Sequence, residues 1–141
     1  GAACVILMSE ARAKELELEV LAYIDGYAST GLDNKVMGLG PVPATKKVLE
    51  KLSLNIEDID LFEMNEAFAA QSIAVTRLLS LDSNKVNTRG GAISLGHPIG
   101  ASGCRVLVTL VHALINDNKE KGVCSLCIGG GQGIAMVISR K

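Results

Sequence analysis

The chain has almost no excess charge of either sign: 14 Lys and Arg stand against 15 Asp and Glu, for a net −1. A phosphate-binding surface needs clustered Lys and Arg, so nucleic acid is not expected as a partner. Long apolar runs are also missing, and none reaches the length that spans a bilayer, so no membrane partner is expected. Gly1 to Met8 is apolar, but it has neither the basic leader nor the cleavage site of a secretory signal. Ile138-Ser139-Arg140-Lys141 is not a peroxisomal address. Tryptophan is absent, and only four aromatic residues, two Tyr and two Phe, are present.

Other gaps bear on chemistry. Cys124-Ser125-Leu126-Cys127 spells C-x-x-C, but no second ligand pair accompanies it, and residues three apart on a strand point to opposite faces. No metal site is therefore expected, and of the two thiols Cys127 is the candidate for chemistry while Cys124 belongs to the core. Gly96 to Gly103 is rich in small residues but lacks the Gly-Lys-Ser/Thr ending of a phosphate loop. The four cysteines, Cys4, Cys104, Cys124 and Cys127, sit in apolar, regular-looking stretches, where a free thiol acts as a small hydrophobe. A core drawn from 48% hydrophobic residues in 141 needs no disulfide staples, so a reducing cytoplasm is the expected location.

What is present alternates between strand and helix patterns and predicts one α/β domain with a mixed sheet. Strands are expected at Ala2 to Met8, Val20 to Tyr27, Leu61 to Met64, Val123 to Ile128 and Ile134 to Ser139. A helix capped by Ser9 is expected to run to about Glu19. Thr30 to Val42 reads as loop, and Pro43 opens a helix whose apolar face is Ala44, Val48, Leu49 and Leu52. Asn55 to Asp58 reads as a short capped turn, and a helix follows Asn65 to about Leu79. The helix Ala101 to Ile115 is apolar around most of its circumference and so belongs between layers.

Three places can hold chemistry. Asn65-Glu66-Ala67-Phe68 lies at a strand-to-helix junction, where side chains face ligands at the carboxyl end of a sheet; Asn65 equally suits a simple helix cap. His97 lies in a glycine-rich loop that permits close backbone approach; imidazole carries protons at neutral pH, and a hydrogen-bonded structural histidine is the alternative. The other histidine, His112, lies in the apolar helix and reads as structural. Cys127 ends a strand before Gly129-Gly130-Gly131, whose N–H groups suit an oxyanion.

Together, and in this order, Met37-Gly38-Leu39-Gly40-Pro41-Val42-Pro43-Ala44, Asn65 to Ala69, Gly90 to Gly103 and Cys127 to Gly133 resemble the thiolase family over essentially the whole chain. The resemblance implies a thiolase-like C-terminal domain from residue 21 to 141: a mixed five-stranded sheet, helices on both faces, and the helix after His97 as a buried central one. Residues 1–20 resemble a closing strand and helix of the family's N-terminal domain. The implied activity is condensation of two acetyl-CoA to acetoacetyl-CoA and CoA, reversibly, or, as the nearest enzyme alternative, long-chain 3-ketoacyl-CoA thiolysis. A ketosynthase is disfavoured because its second proton carrier is a histidine, where this chain has Cys127.

By the same resemblance Cys127 is the acid/base cysteine, and His97 activates the nucleophile and helps bind the thioester oxygen. Asn65 holds a water in that oxyanion site, and the Gly129 N–H serves the second one. Met37, Ala67 and Phe68 match acyl or pantetheine pocket positions. No cofactor is implied, since coenzyme A enters as the substrate thioester. The implied partners are an acyl-CoA, the N-terminal thiolase half with its nucleophilic cysteine, and further copies of the chain. Without that half the chain is expected to be inactive, because covalent catalysis needs a nucleophile beside its base. A non-catalytic domain or subunit is the reading from a different class. One departure from the family stands out: Thr88-Arg89 replaces a small residue and Asn, with an altered hydrogen bond expected near the His97 loop.

Overall fold

The computed structural model describes residues 1–140. Four strands, β1 (Tyr23–Gly31), β2 (Leu61–Met64), β3 (Lys121–Ile128) and β4 (Gln132–Ser139), form one sheet in the order β1-β4-β3-β2. β3 and β4 make an antiparallel hairpin, β1 adds antiparallel to β4, and β2 lies parallel to β3, so the sheet is mixed. Between β2 and β3 the chain makes α3 (Ala69–Leu78), a short α4 (Ala92–Leu95) and α5 (Ser102–Asn116). α2 (Pro41–Lys51) connects β1 towards β2, and α1 (Glu10–Glu15) precedes the sheet.

Strand alternation divides the core in two. Phe62, Met64, Val123, Ala135 and Val137 face α2 and α3, meeting Val48, Leu49, Val75 and Leu79. Leu61, Cys124 and Ile138 face α5, meeting Val106, Leu110, Ala113 and Leu114. Helices thus cover both faces, as expected. α5 is fully buried along the side that meets the sheet, whereas Leu107, Val108 and Val111 on its other side line a cleft of about 730 Å³ with residues 4–8 and 18–24. His112 is exposed on that outer side.

The sheet has four strands, not five. The place beside β2 is taken by one bridge residue, Val86, opposite Phe62. The next residue, Asn87, turns left-handed (φ 49°) and ends the pairing; its side-chain amide then completes the edge, accepting from Met64 N at 2.8 Å and donating to Met64 O at 2.9 Å. Ala2 to Met8 joins no strand either, and Ile6 and Leu7 are 83% and 69% exposed. Cys4 is correspondingly exposed and not set in regular structure.

Several boundaries move for local reasons. α1 stops at Glu15 because Glu17 adopts φ 53° and the chain closes with Glu17 N–H on Lys14 O and Leu18 N–H on Ala13 O, a left-handed cap that usually uses glycine. β1 begins at Tyr23 and runs to Gly31, three residues later at its start than the pattern predicts. The expected loop contains a 3₁₀ turn, Asn34–Leu39, capped by Asp33. α2 opens at Pro41, with Pro43 still inside the first turn where no N–H is missed. α3 starts only at Ala69, so Asn65 does not cap it; Gln71 Oε1 accepts from Phe68 N instead, at 3.5 Å.

Candidate active site

β2 and β3 are parallel, so their carboxyl ends open at the same edge of the sheet, where chains leave strands and ligands gather. Asn65 extends β2 by one step, its N–H donating to Ser125 O at 2.9 Å. That bond keeps the backbone extended and leaves the side chain free of capping duty. Asn65 is 1% exposed, its Nδ2 lies 3.5 Å from His97 Nε2, and its Oδ1 has no protein partner. A buried amide oxygen without a partner is costly unless a water or ligand group reaches it.

His97 is held from its other side. Its Nδ1 lies 2.6 Å from Ser102 Oγ, and the Ser102 hydroxyl donates to Pro98 O at 3.1 Å. Asn65 Nδ2 can only donate, so its contact with Nε2 fits the tautomer with the imidazole hydrogen on Nδ1 and Ser102 Oγ accepting it. Nε2 is then the free base, and it points at Asn65. Ser102 is the first residue of α5 and is 1% exposed. Sequence reasoning passed over Ser102; its signal was a hydroxyl at a helix start five residues after the histidine.

Cys127 stands one strand away, near the end of β3 and opposite Gly133 of β4. It shares the alternation of Val123 and Ser125, whereas Cys124 packs on the α5 side. The two sulfurs of the C-x-x-C string therefore do not form a pair, and the described residues contain no metal-holding group of His, Cys, Asp and Glu. All four cysteines are free. Burial pushes the half-buried Cys127 thiol up from its ordinary range. Cys124 is pushed up to about 12, first by burial and then by the negative Glu63. No hydrogen bond links Cys127 to His97 or Asn65; the structure brings those two together and sets Cys127 at the same end of the sheet.

The turn after Cys127 needs its glycines. Gly130 and Gly131 have φ of +87° and +89°, and Gly129 has open space where a side chain would be. Gly131 O accepts from Leu32 N at 2.8 Å. Gly40 and Gly133 meet backbone to backbone, so a Cβ on either would strike the other segment. This contact presses the Asn34–Leu39 turn against β3, β4 and α3, with half-buried Met37 beside the strand pair that carries Cys127. Ala67 is half-buried and Phe68 is 61% exposed, both on the extended stretch before α3. Arg89 does not reach His97: it pairs with Asp117 at the far end of α5. No helix among the described residues is long and apolar enough to cross a membrane.

Known proteins similar to this chain include acetyl-CoA acetyltransferases and a 3-ketoacyl-CoA thiolase. The acetyl-CoA acetyltransferase of Pseudomonas aeruginosa is 59% identical over 140 residues, covering 99% of this chain and 36% of its own length. That of Cupriavidus necator is 56% identical over 141 residues, covering 100% of this chain and 36% of the relative. The crystal structure of the Bacillus anthracis acetyl-CoA acetyltransferase superposes with a TM-score of 0.92 at 53% identity, over 94% of this chain and 34% of that one. Human mitochondrial 3-ketoacyl-CoA thiolase gives 0.92 at 50% identity, with the same coverage of 94% and 34%. The chain thus spans about a third of the length of the relatives it matches. The family model described as thiolase, C-terminal domain, matches residues 18–140, and with the α/β fold and site just described it places the chain in the thiolase family.

Proposed function

We propose that this chain is the C-terminal catalytic segment of an acetyl-CoA C-acetyltransferase, joining two acetyl-CoA into acetoacetyl-CoA and CoA, reversibly. The observation that carries the reading is the Ser102–His97–Asn65 series, which leaves Nε2 as a free base beside an unpartnered amide oxygen. In this reading Nε2 takes the proton of a cysteine supplied by the N-terminal thiolase half, and the thiolate displaces CoA from the first acetyl-CoA. The protonated Nε2 and a water on Asn65 Oδ1 then steady the thioester oxygen. The departing CoA thiolate takes the Cys127 proton and leaves as CoA, and the Cys127 thiolate then removes a proton from the α-carbon of the second acetyl-CoA. The carbanion attacks the acyl-enzyme carbonyl, whose developing oxyanion the Gly129 N–H steadies, and the nucleophilic cysteine leaves as a thiolate that recovers its proton from Nε2. Met37, Ala67 and Phe68 line the acyl and pantetheine path.

Coenzyme A is substrate here and no separate cofactor takes part. The cytoplasm, a homo-oligomeric assembly and the N-terminal half as partner complete the proposal. Thiolysis of longer 3-ketoacyl-CoA is the second reading, favoured by the equal likeness to the human mitochondrial structure. The different-class reading, a non-catalytic domain, separates from both in one experiment. The chain alone, incubated with acetyl-CoA, is expected to make no acetoacetyl-CoA. Co-expression with a thiolase N-terminal half restores turnover. In that reconstituted enzyme Cys127→Ala keeps acylation of the nucleophile, read by intact mass, and loses condensation by about 10²–10⁴-fold. His97→Ala slows the acylation itself. Equal acylation defects in the two variants would reject the roles, and an inert wild-type reconstitution would favour the non-catalytic reading.

A further inference from the structure

Glu66 follows Asn65 directly, and its carboxylate binds the segment that leads to His97. Glu66 Oε1 accepts from Asn87 Nδ2 at 3.2 Å, and Oε2 accepts from Ile93 N at 3.0 Å. Asn87 is itself fixed to the end of β2 by both halves of its amide, on Met64 N and Met64 O. Ile93 belongs to α4, and only Gly96 separates that helix from His97. The glycine preceding α4 is part of the arrangement: a Cβ on Gly91 would occupy the space of the Glu66 carboxylate. Gly91 O in turn accepts from Ser94 N at 3.1 Å and Leu95 N at 2.9 Å, so the short helix is built around that spot.

Two donors therefore converge on the two oxygens of one carboxylate. Only an acceptor-only group satisfies both; a glutamine would turn an N–H₂ towards one of them. The chain on either side of this carboxylate carries Asn65 and His97, whose side chains meet at 3.5 Å. We infer that Glu66, with Asn87 as its anchor and Gly91 as its seat, is the positioning residue that sets the distance between the Asn65 amide and His97 Nε2. This rests on the reading of Asn65 and His97 as members of one catalytic site. Glu66 touches no reacting atom; it acts through the loop.

The test uses the ¹⁵N-labelled chain at about pH 8, where imidazole is neutral. Long-range proton–nitrogen spectra report the tautomer of each histidine, and exposed His112 is the internal reference. Wild-type His97 is expected to hold its hydrogen on Nδ1. Glu66→Gln, close in size, is expected to speed amide exchange at Ile93 by about tenfold to a hundredfold, the loss of one charge-assisted bond. It also mixes the His97 tautomers and leaves His112 unchanged. Gly91→Ala, which evicts the carboxylate without removing it, gives the same signature. A role in filling space alone predicts that Glu66→Gln behaves as wild type, and that result would overturn the inference. In the reconstituted enzyme Glu66→Gln lowers kcat with KM within about twofold, since substrate contacts remain. Failure of the reconstituted wild type to turn over would reject the reading of the site and leave the spectroscopic result standing.

Discussion

Glu63 is a carboxyl buried without a close partner. It is 2% exposed, and its partner Arg105 comes no closer than 3.6 Å, too far for a hydrogen bond. Burial raises its pKa from 4.5 to about 7, against the pull of Arg105 and with a further push from Glu66. Folding thus favours the protonated carboxyl. The stability Glu63 contributes is complete below about 4.5, declines as pH rises, and is lost above about 7. The gap corresponds to roughly 3 kcal/mol at full effect. Urea denaturation of the chain at pH 5 and pH 8 is expected to show wild type less stable at pH 8, and Glu63→Gln to remove most of that difference. An equal decline in Glu63→Gln would assign it to other groups.

The thiols are ordered by the same forces. The thiolate is the reactive form, so burial and a raised pKa both slow alkylation. With iodoacetamide at about pH 8, Cys4 is expected to react first, since it is exposed and lies outside the sheet. Cys127 follows slowly, and Cys124, pushed up to about 12, stays silent until the chain unfolds. Peptide mass spectrometry resolves the order; early labelling of Cys124 would contradict its place under α5. The separation of Cys124 and Cys127 onto opposite faces of β3 was legible in sequence, because strand alternation alone separates residues three apart. Ser102 and the Glu66–Asn87 contact were not legible, because they depend on which loops the fold brings together.

At the scale of elements, the patterned segments were readable and the junctions were not. β3, β4 and α5 fall within two residues of their expected bounds, since long runs of Val, Ile, Leu and Cys leave little choice. Asn65 looked like a possible helix start, but its N–H bonds to Ser125 O, and three further residues, Glu66 to Phe68, pass before the helix begins. Ala2 to Met8 has the composition of a strand, but a strand requires a partner, and the described residues offer it none. Gly40 and Gly133 show what glycine accomplishes between elements: their backbones touch and set the Met37 turn against β4. Gly133→Ala forces backbone against backbone, which no side-chain rotation relieves. It is expected to destabilise the chain by about 1–3 kcal/mol, the range for overpacking. Gly122→Ala meets a side chain, that of Leu110, and not backbone, and is expected to cost less. Urea midpoints of the two variants compare them directly, and a Gly133→Ala chain as stable as wild type would refute the close contact.

For the molecule as a whole, the apolar surface is unevenly distributed. Val5, Ile6, Leu7, Met8, Leu18, Val20 and Leu21 are all more than a third exposed, and they surround the cleft over the outer side of α5. Scattered exposed leucines are ordinary, but a contiguous patch of this kind marks a surface that another chain covers. The β1 edge is open as well: β1 pairs with β4 on one side only. An unpaired edge and an unpaired apolar segment in one molecule favour association with a second copy. The chain is therefore expected to self-associate as concentration rises, with the average mass from light scattering moving from monomer towards dimer. Ile6→Lys with Leu7→Lys places two charges on the most exposed part of the patch, 83% and 69% in the wild type, and is expected to hold the chain monomeric without lowering its urea midpoint. Neither side chain belongs to either core cluster, so folding does not depend on them. A wild-type chain that scatters as a clean monomer at high concentration would reject this assembly, and a double variant that still dimerises would move the interface to the β1 edge.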